Sequence, residues 1–578
     1  MRPGIRGCTI EPLCSRVRGS PQYYIPIKHI ASMNSALRSM PMADGRKMQS
    51  YLKSFWYYGP AWIFTVSVLM VVTGCTTVGP DYTKPELQIM EQWMQADGHR
   101  LLSSPADYRK WWAVFQDPVL DHLVQVACAQ NIPLRVAGAR VFEARARLGV
   151  AIGEQYPQAQ QVVGTAEYNR ESERGASAPQ RSAGVDFNSK QAQVGATASW
   201  EFDFWGKFRR SVESEDASFL GSIAAYDSAL VSLTADVAST YVLIRTLEER
   251  LRIARDNVSV QKESLRIAEA RFKGGATSDR DVQQALTQLR STEAGIPQLA
   301  ARLRQVKNAL CTLLGVPPRN LDHLLGDRSA IPEAPLEVAV GIPADLLRRR
   351  PDIRIAELQA AAQCALIGVA KADLYPAFTL NGTFGYLASD VGRFHLSQIA
   401  SWDSRTGSFG PAFAWNILNY GQITNAVRVQ DALFQELIFT YQDTVLRAQQ
   451  EVEDGLIGFL QSENRLVSLE EAAAAAKRSA DLALIQYREG ATDYTTVLTA
   501  QAALLAQQDN LATGRADVPQ GLITVYRALG GGWEIREGQR FLPADVTQTM
   551  GSRTDWGGLL DPAAVEPQTE RQLLTPDW

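Results

Sequence analysis

Trp200-Glu201-Phe202-Asp203-Phe204-Trp205-Gly206 returns 215 residues later as Trp415-Asn416-Ile417-Leu418-Asn419-Tyr420-Gly421. The same offset, with no gap, sets Tyr226 on Tyr441, Phe272 on Tyr487, Gly275-Ala276-Thr277 on Gly490-Ala491-Thr492, and Leu314-Gly315 on Leu529-Gly530. An ungapped repeat of about a hundred residues marks an internal duplication, so each half is expected to be one structural unit beside the other.

Upstream of each copy of this stretch the sequence alternates. Val194, Ala196, Ala198, Trp200, Phe202 and Phe204 share one face of 193–204, opposite Gln193, Thr197, Ser199, Glu201 and Asp203. Segments 161–169, 378–387 and 408–417 alternate in the same way. Such a period of two over about 10 positions is the pattern of a transmembrane β-strand; a half-buried sheet of a globular domain is the other reading. Four strands cannot close a barrel, and lipid does not tolerate an open edge, so strands that cross a membrane must be pooled from several copies. Polar loops, 171–190 and 387–408, join the strands in pairs.

Downstream of each copy lies a proline-free run, 206–273 and 421–488, whose apolar residues keep three/four spacing. Tyr226, Leu230, Leu233, Val237, Tyr241, Ile244, Leu247 and Leu251 mark it in the first. This predicts helices of about 100 Å, packed side by side like a coiled coil. Each run stops at glycine, Lys273-Gly274-Gly275-Ala276-Thr277-Ser278 and Glu489-Gly490-Ala491-Thr492-Asp493, where a left-handed cap and a Ser, Thr or Asp cap predict tight αα-hairpins. Return helices are expected over 279–314 and 494–529, and further helices from Pro118 to Gly153 and Pro343 to Asp373. The fold class is thus mainly α with a β-barrel part.

No charge occurs between Lys53 and Asp81, and the apolar run 61–72 follows Arg46, Lys47 and Lys53. This is the layout of a secretory signal peptide, too short for a span of about 20 residues. It ends in Val72-Thr73-Gly74-Cys75, a lipobox-like sequence that predicts lipidation of Cys75. Thr76, in place of Asp, predicts delivery to the outer membrane. A signal beginning near Met42 or Met48 would be of ordinary size, so the preceding residues read as an over-extended start or a targeting extension. Segment 1–74 holds nine of the 58 basic and two of the 62 acidic residues, so the remainder carries a charge near −11. That opposes nucleic-acid binding, which wants a basic surface. Cys128, Cys311 and Cys364 lie far apart, without metal-ligand spacing, and read as small helix residues. His99, His122, His323 and His395 are scattered, and no phosphate-loop, zinc or serine-elbow motif is present, so neither catalysis nor a cofactor or metal is expected.

With these residues in hand the chain resembles the outer-membrane-factor (TolC/OprM-like) family, in its NodT-type lipoprotein branch. The resemblance covers about residues 70–535. It rests on the duplication, on Cys75-Thr76-Thr77-Val78-Gly79-Pro80-Asp81-Tyr82, on Trp111-Trp112 with Phe115-Gln116-Asp117-Pro118, on Arg350-Pro351-Asp352-Ile353-Arg354, and on Ile367-Gly368-Val369-Ala370 with Tyr375-Pro376. It implies a homotrimer with a twelve-stranded barrel above an α-helical tunnel and a mid-helix collar. The implied function is the passive exit duct of a tripartite, resistance-nodulation-division-type efflux system, working with a periplasmic adaptor and an inner-membrane pump. A duct for type I protein secretion or metal-ion efflux, or a lipid-anchored coiled-coil scaffold, are the alternatives.

The corresponding organisation is a signal segment 1–74, a lipid-anchored segment 75–117, a first repeat 118–315, a linker 316–342, a second repeat 343–530 and a tail 531–578, expected to be loosely ordered from Arg536. The glycine turns, with Arg271, Phe272, Gly274, Gly275, Tyr487, Arg488 and Gly490, are the expected adaptor contacts. Family members carry Asp-Ala-Gln past the second turn, where the carboxylate narrows the tunnel; here Thr499-Ala500-Gln501 lacks it. Asp281 on the first return helix is the substitute candidate, with a solvated helix charge as the alternative.

Overall fold

The computed structural model describes residues 77–561 apart from 88, 91, 95–100, 103–107, 171, 173, 175–187, 327–329, 336–337, 340–348 and 391–394. The unit Met1–Gly74, and with it the expected signal segment, therefore lies outside the described residues, which all belong to the unit Cys75–Trp578. In chain order the strands are β1 (Leu101–Leu102), β2 (Ala159–Arg170), β3 (Asn188–Phe202), β4 (Val338–Ala339), β5 (Ala377–Ser389) and β6 (Arg405–Ala414). The helices are α1 (Pro118–Gln130), α2 (Ile132–Gly153), α3 (Lys207–Lys273), α4 (Asp279–Leu313), α5 (Asp322–Leu325), α6 (Pro351–Ala372), α7 (Gln422–Arg488), α8 (Tyr494–Ala528) and α9 (Ala544–Arg553).

The duplication is visible in the elements. The α3 and α7 helices are each 67 residues and begin and end 215 residues apart; α4 and α8 are each 35 residues at the same offset. Gly206 and Gly421, at φ 77° and 83°, turn the chain from sheet into helix. At the far ends Ala276 and Ala491 donate to the carbonyls of Arg271 and Gln486, at 2.9 and 2.8 Å, while Gly275 and Gly490 sit at positive φ. These are Schellman closures, which need the left-handed conformation that glycine adopts without a Cβ penalty. Asp493 caps α8 by accepting from the Thr496 N–H at 3.1 Å, but Ser278 makes no such bond to α4.

The helix expected over 118–153 is two. Asn131 leaves helical geometry and its side chain accepts from Leu134 N at 2.9 Å, starting a new helix two residues before Pro133, which has no N–H to continue the old one. Reading a single period across that proline missed the break. The helix expected from Pro343 is described from Pro351, because 340–348 lie outside the described residues.

The strands β2-β3-β5-β6 form one antiparallel sheet in that order. Val162 pairs with Ala196, Trp200 with Leu380, and Phe378 with Phe413, so the apolar set of every strand falls on one face. The fourth strand ends at Ala414, short of the expected Ile417. The outer edges of β2 and β6 have no strand neighbour among the described residues. A two-residue parallel ladder, Leu101 with Val338 and Leu102 with Ala339, ties the segment before α1 to the linker; nothing in the sequence reading anticipated it.

The main core lies part-way along the helices. Trp111 stacks on Tyr526 at 5.3 Å between ring centres, and Tyr241 Oη donates to Asp117 Oδ2 at 2.7 Å. The same Asp117 caps α1 through Val119 N at 2.9 Å, which gives the Gln116-Asp117-Pro118 motif its local logic. The described part of the tail, to residue 561, is more ordered than expected. Arg536 holds buried Asp227 at 2.5 Å, Phe541 packs edge-on against Tyr226 at 5.0 Å, Leu542 is buried, and α9 follows. Two isolated apolar residues carry no periodicity, so the sequence did not announce them.

Candidate functional site

Three regions carry chemistry a duct could use: the sheet, the strap that leaves its base, and the helix turns at the far end. On the sheet's apolar face Val162, Phe409 and Phe413 are 84%, 80% and 71% exposed. Water would oppose such a surface and hydrocarbon would not. At the base of the sheet aromatic side chains gather: Trp205 stacks on Tyr375 at 4.6 Å, Phe204 meets Phe378 at 5.2 Å, and Trp205 Nε1 and Trp415 Nε1 donate to the carbonyls of Pro376 and Leu374. Aromatic rings with one polar atom suit a membrane–water boundary.

Cys75 lies outside the described residues, but the chain two residues beyond it is fixed. Val78 N–H donates to the Trp205 carbonyl at 2.9 Å, and Thr77 lies so near Gly206 that a Cβ there would come within 2.6 Å of it. From this point a strap crosses both repeats. Asp81 pairs with Arg210 of α3 at 2.6 Å, Lys84 with Glu357 of α6 at 2.6 Å, and the N–H groups of Met90 and Met94 donate to Gln449 and Glu453 of α7 at 3.0 and 2.8 Å.

At the helix turns the structure divides the expected residues. Phe272, Gly274, Gly275, Arg488 and Gly490 are exposed, whereas Arg271 is half-buried and Tyr487 buried. Arg271 Nη1 donates to the carbonyls of Tyr487 and of Arg488, the latter at 3.1 Å, and its guanidinium lies 4.8 Å from the Tyr487 ring centre. A cation on the last carbonyls of a helix satisfies them and opposes the negative end of its dipole. Tyr487 Oη in turn donates to Asp281 Oδ2 at 3.3 Å, an oxygen that also accepts from Thr277 Oγ1. Tyr487 and Tyr494 meet edge-on at 5.2 Å over a small core with Ile267, Ala268, Ala285 and Val497. The two turns are therefore latched, first repeat to second.

Asp281 is only 4% exposed, so it is not a solvated helix charge. It is held inside the protomer and would have to leave Thr277 and Tyr487 to line a bore. Thr499 is exposed, its hydroxyl turned back to the carbonyls of Thr495 and Thr496 at 3.0 and 3.1 Å. Gln501, two residues on, donates instead to Ser264 Oγ of α3 at 2.6 Å in a buried position. Sequence reasoning grouped Arg271 and Tyr487 with the exposed tip because it had only their distance from glycine; no linear signal pairs residues 216 positions apart.

Burial raises the Tyr487 hydroxyl above its ordinary range, so it stays a donor at neutral pH. Cys128 is half-buried and its thiol is pushed up to about 12 by burial, while Cys311 and Cys364 are buried; all three are free. Among the described residues no three His, Cys, Asp or Glu side chains gather as for a metal ion.

The sequence profile of the outer membrane efflux protein family matches residues 123–316 and 342–531. The chain is similar to the toluene efflux pump outer membrane protein TtgI of Pseudomonas putida, 30% identical over 81% of this chain and 98% of that protein. It is also similar to nodulation protein T of Rhizobium leguminosarum bv. trifolii, 28% identical over 80% of this chain and 96% of that one. Among solved structures, the outer-membrane channel OprN superposes with a TM-score of 0.73 at 33% identity, covering 79% of this chain and 99% of that one.

Proposed function

This chain belongs to the outer membrane efflux protein family, and on that premise we propose that three copies enclose one continuous duct. It is an outer-membrane channel of an efflux system. The observation that carries the trimer is the sheet: four strands with an apolar face and two edges that have no strand neighbour among the described residues. Each edge would leave a row of N–H and C=O groups bare in hydrocarbon, at several kcal/mol per group. Three copies give twelve strands and no edge, with 10 to 15 residues per strand, enough to cross. Below the barrel the paired 67-residue helices continue the bore for about 100 Å.

Purified protein is expected to run as heat-sensitive trimers in detergent and to conduct ions in planar bilayers. A stable monomer that stays soluble without detergent and does not conduct would end this reading. That outcome would instead favour the lipid-anchored scaffold.

A duct is passive, so energy comes from an inner-membrane pump, of the resistance-nodulation-division type, reached through a periplasmic adaptor. The cargo class is small organic molecules. Phe272, Gly274, Gly275, Arg488 and Gly490 form the adaptor-facing surface, with Arg271 and Tyr487 supporting it from behind. Cys75 carries the lipid, and because Thr77 is held at the sheet base, its acyl chains enter the membrane beside the barrel. Cys75→Ala should leave unprocessed or mislocalised precursor; mature protein fractionating normally with the outer membrane would remove that role.

A further inference from the structure

The duplication predicts how one copy joins the next, residue by residue. Within the chain the two repeats meet where β3 pairs with β5, and every matched pair there has residue numbers adding to 580, as in Val194 with Tyr386 and Trp200 with Leu380. The repeat equivalent of β3 is β6, 215 residues later. The equivalent of β5 is β2, whose offset needs the structure. Helices α2 and α6, and the motifs Tyr156-Pro157 and Tyr375-Pro376, stand 219 apart, but strands β2 and β5 begin 218 apart, at Ala159 and Ala377. The in-chain pairings require the same 218: β2 and β3 pair at numbers adding to 358, and β5 and β6 at numbers adding to 791.

The extra residue in the first repeat is Gln158, and it is anchored. Its side-chain oxygen accepts from Glu201 N at 2.7 Å, and its amide donates to the Glu154 and Glu201 carbonyls at 3.0 and 3.2 Å.

We propose that β6 of one copy pairs antiparallel with β2 of the next at residue numbers adding to 577, the in-chain 580 raised by 215 and lowered by 218. The inference rests on the trimer reading and adds the register to it. Phe409 then lies across from Tyr168 of the next copy, Phe413 from Gly164 and Trp415 from Val162, all on the apolar face. Ala412 meets Thr165 and Gly410 meets Glu167 on the polar one. The uncorrected helix offset of 219 would give 576 and set Phe409 against Glu167, reversing one strand's faces, which a half-buried sheet does not tolerate. Gly410 fits its place. Its in-chain equivalent Gly195 approaches Gly385 so closely that a Cβ would come within 2.8 Å, whereas at Gly410 nothing lies within 4 Å in the single chain. The joint also supplies a partner to 415–417, the residues whose equivalents in β3 are strand and whose own are not.

The helices below follow the same rule. In the chain α3 lies against α6, with Lys207 on Asp373 at 2.8 Å and Gly221 facing Leu358. Their equivalents are α7 and the next copy's α2, which puts Asp431, Glu436 and Asp443 opposite positions 144, 139 and 132. Positions 132–144 of α2 carry Arg135, Arg140 and Glu143, and the acids on α7 are exposed, Asp443 already pairing with Arg447 of its own helix at 2.7 Å. Glu436 then lies beside Arg140, one complementary pair that the strand register did not build in.

The test is disulfide cross-linking between copies of the full-length, membrane-inserted protein. Ala412→Cys with Thr165→Cys is the matched pair; Ala412→Cys with Val163→Cys and with Glu167→Cys are each displaced by two residues. All lie on the same face. The matched pair should give covalent trimers that survive boiling without reductant, about tenfold more than either displaced pair or the single variants, because a disulfide needs Cβ atoms within about 4.5 Å. Ser408→Cys with Asn169→Cys is the second matched pair, used should the first not assemble. A displaced pair that cross-links best, or assembled trimers in which no matched pair cross-links, would overturn the register. Unmodified protein that never forms trimers would instead sink the trimer reading beneath it.

Discussion

Single side chains decide whether the ends of this molecule stay attached. Gly206 meets two demands at once, a φ of 77° and the close approach of Thr77, whereas its repeat partner Gly421 meets only the first, at φ 83°, with Asn425 Nδ2 no nearer than 3.6 Å to an added Cβ. Gly421→Ala should therefore cost about 1–3 kcal/mol of backbone strain. Gly206→Ala should cost more and also lift the strap that follows Cys75, seen as a lower melting temperature and faster proteolysis before residue 94. Equal melting losses with equal protease resistance would show that Thr77 does not depend on that glycine. The Tyr487 hydroxyl makes a second prediction. Burial raises its pKa in the folded state, so the stability it contributes is complete below the unfolded value of about 10 and is lost as pH rises beyond it. Thermal stability of the wild type should fall above about pH 10 more steeply than that of Tyr487→Phe, and matching curves would rule the group out.

Elements explain why the tips form a latch and where it gives. The long helices are stitched along their length, as where Arg250 grips Asp509 with bonds of 2.6 and 3.0 Å. The turns rely on fewer ties: Arg271 on the last carbonyls of α7, and Tyr487 on Asp281. Arg271→Ala removes the cap and the ring contact together without touching a glycine. We expect it to raise single-channel conductance while trimers remain intact, since the turns of the two repeats would part more readily. Unchanged conductance would mean that the bore is narrowed elsewhere. Gly490→Pro acts differently, because proline cannot adopt φ 81°. It should break the hairpin and abolish export, and trimers exporting normally would take the tip out of the adaptor contact.

The assembled molecule follows from two facts, a duplicated chain and a sheet whose outer edges have no strand neighbour among the described residues. If the copy-to-copy joint repeats the in-chain joint, Glu436 of one copy lies beside Arg140 of the next. Glu436→Lys and Arg140→Glu should each weaken the trimer, by an amount of the order of 0.2–1 kcal/mol per joint, and together restore it. Additive weakening in semi-native gels would place these side chains elsewhere. Much of this architecture could be read from the chain alone. Periods of two and of three to four residues identify strands and helices because side-chain direction repeats locally, and the offset of 215 identifies the repeats because it compares the sequence only with itself. The turns were equally legible, since a glycine flanked by the right caps is a local event. Contacts between distant positions were not. The burial of Asp281, the division of Arg271 and Tyr487 from the exposed tip, the docking of Phe541 and the single-residue shift at Gln158 each depend on which surfaces meet in space, whereas the helix break at Asn131 is local, set by its side-chain cap and by Pro133. No stretch of sequence encodes such a meeting locally, because its free energy arises from packing between residues tens to hundreds of positions apart.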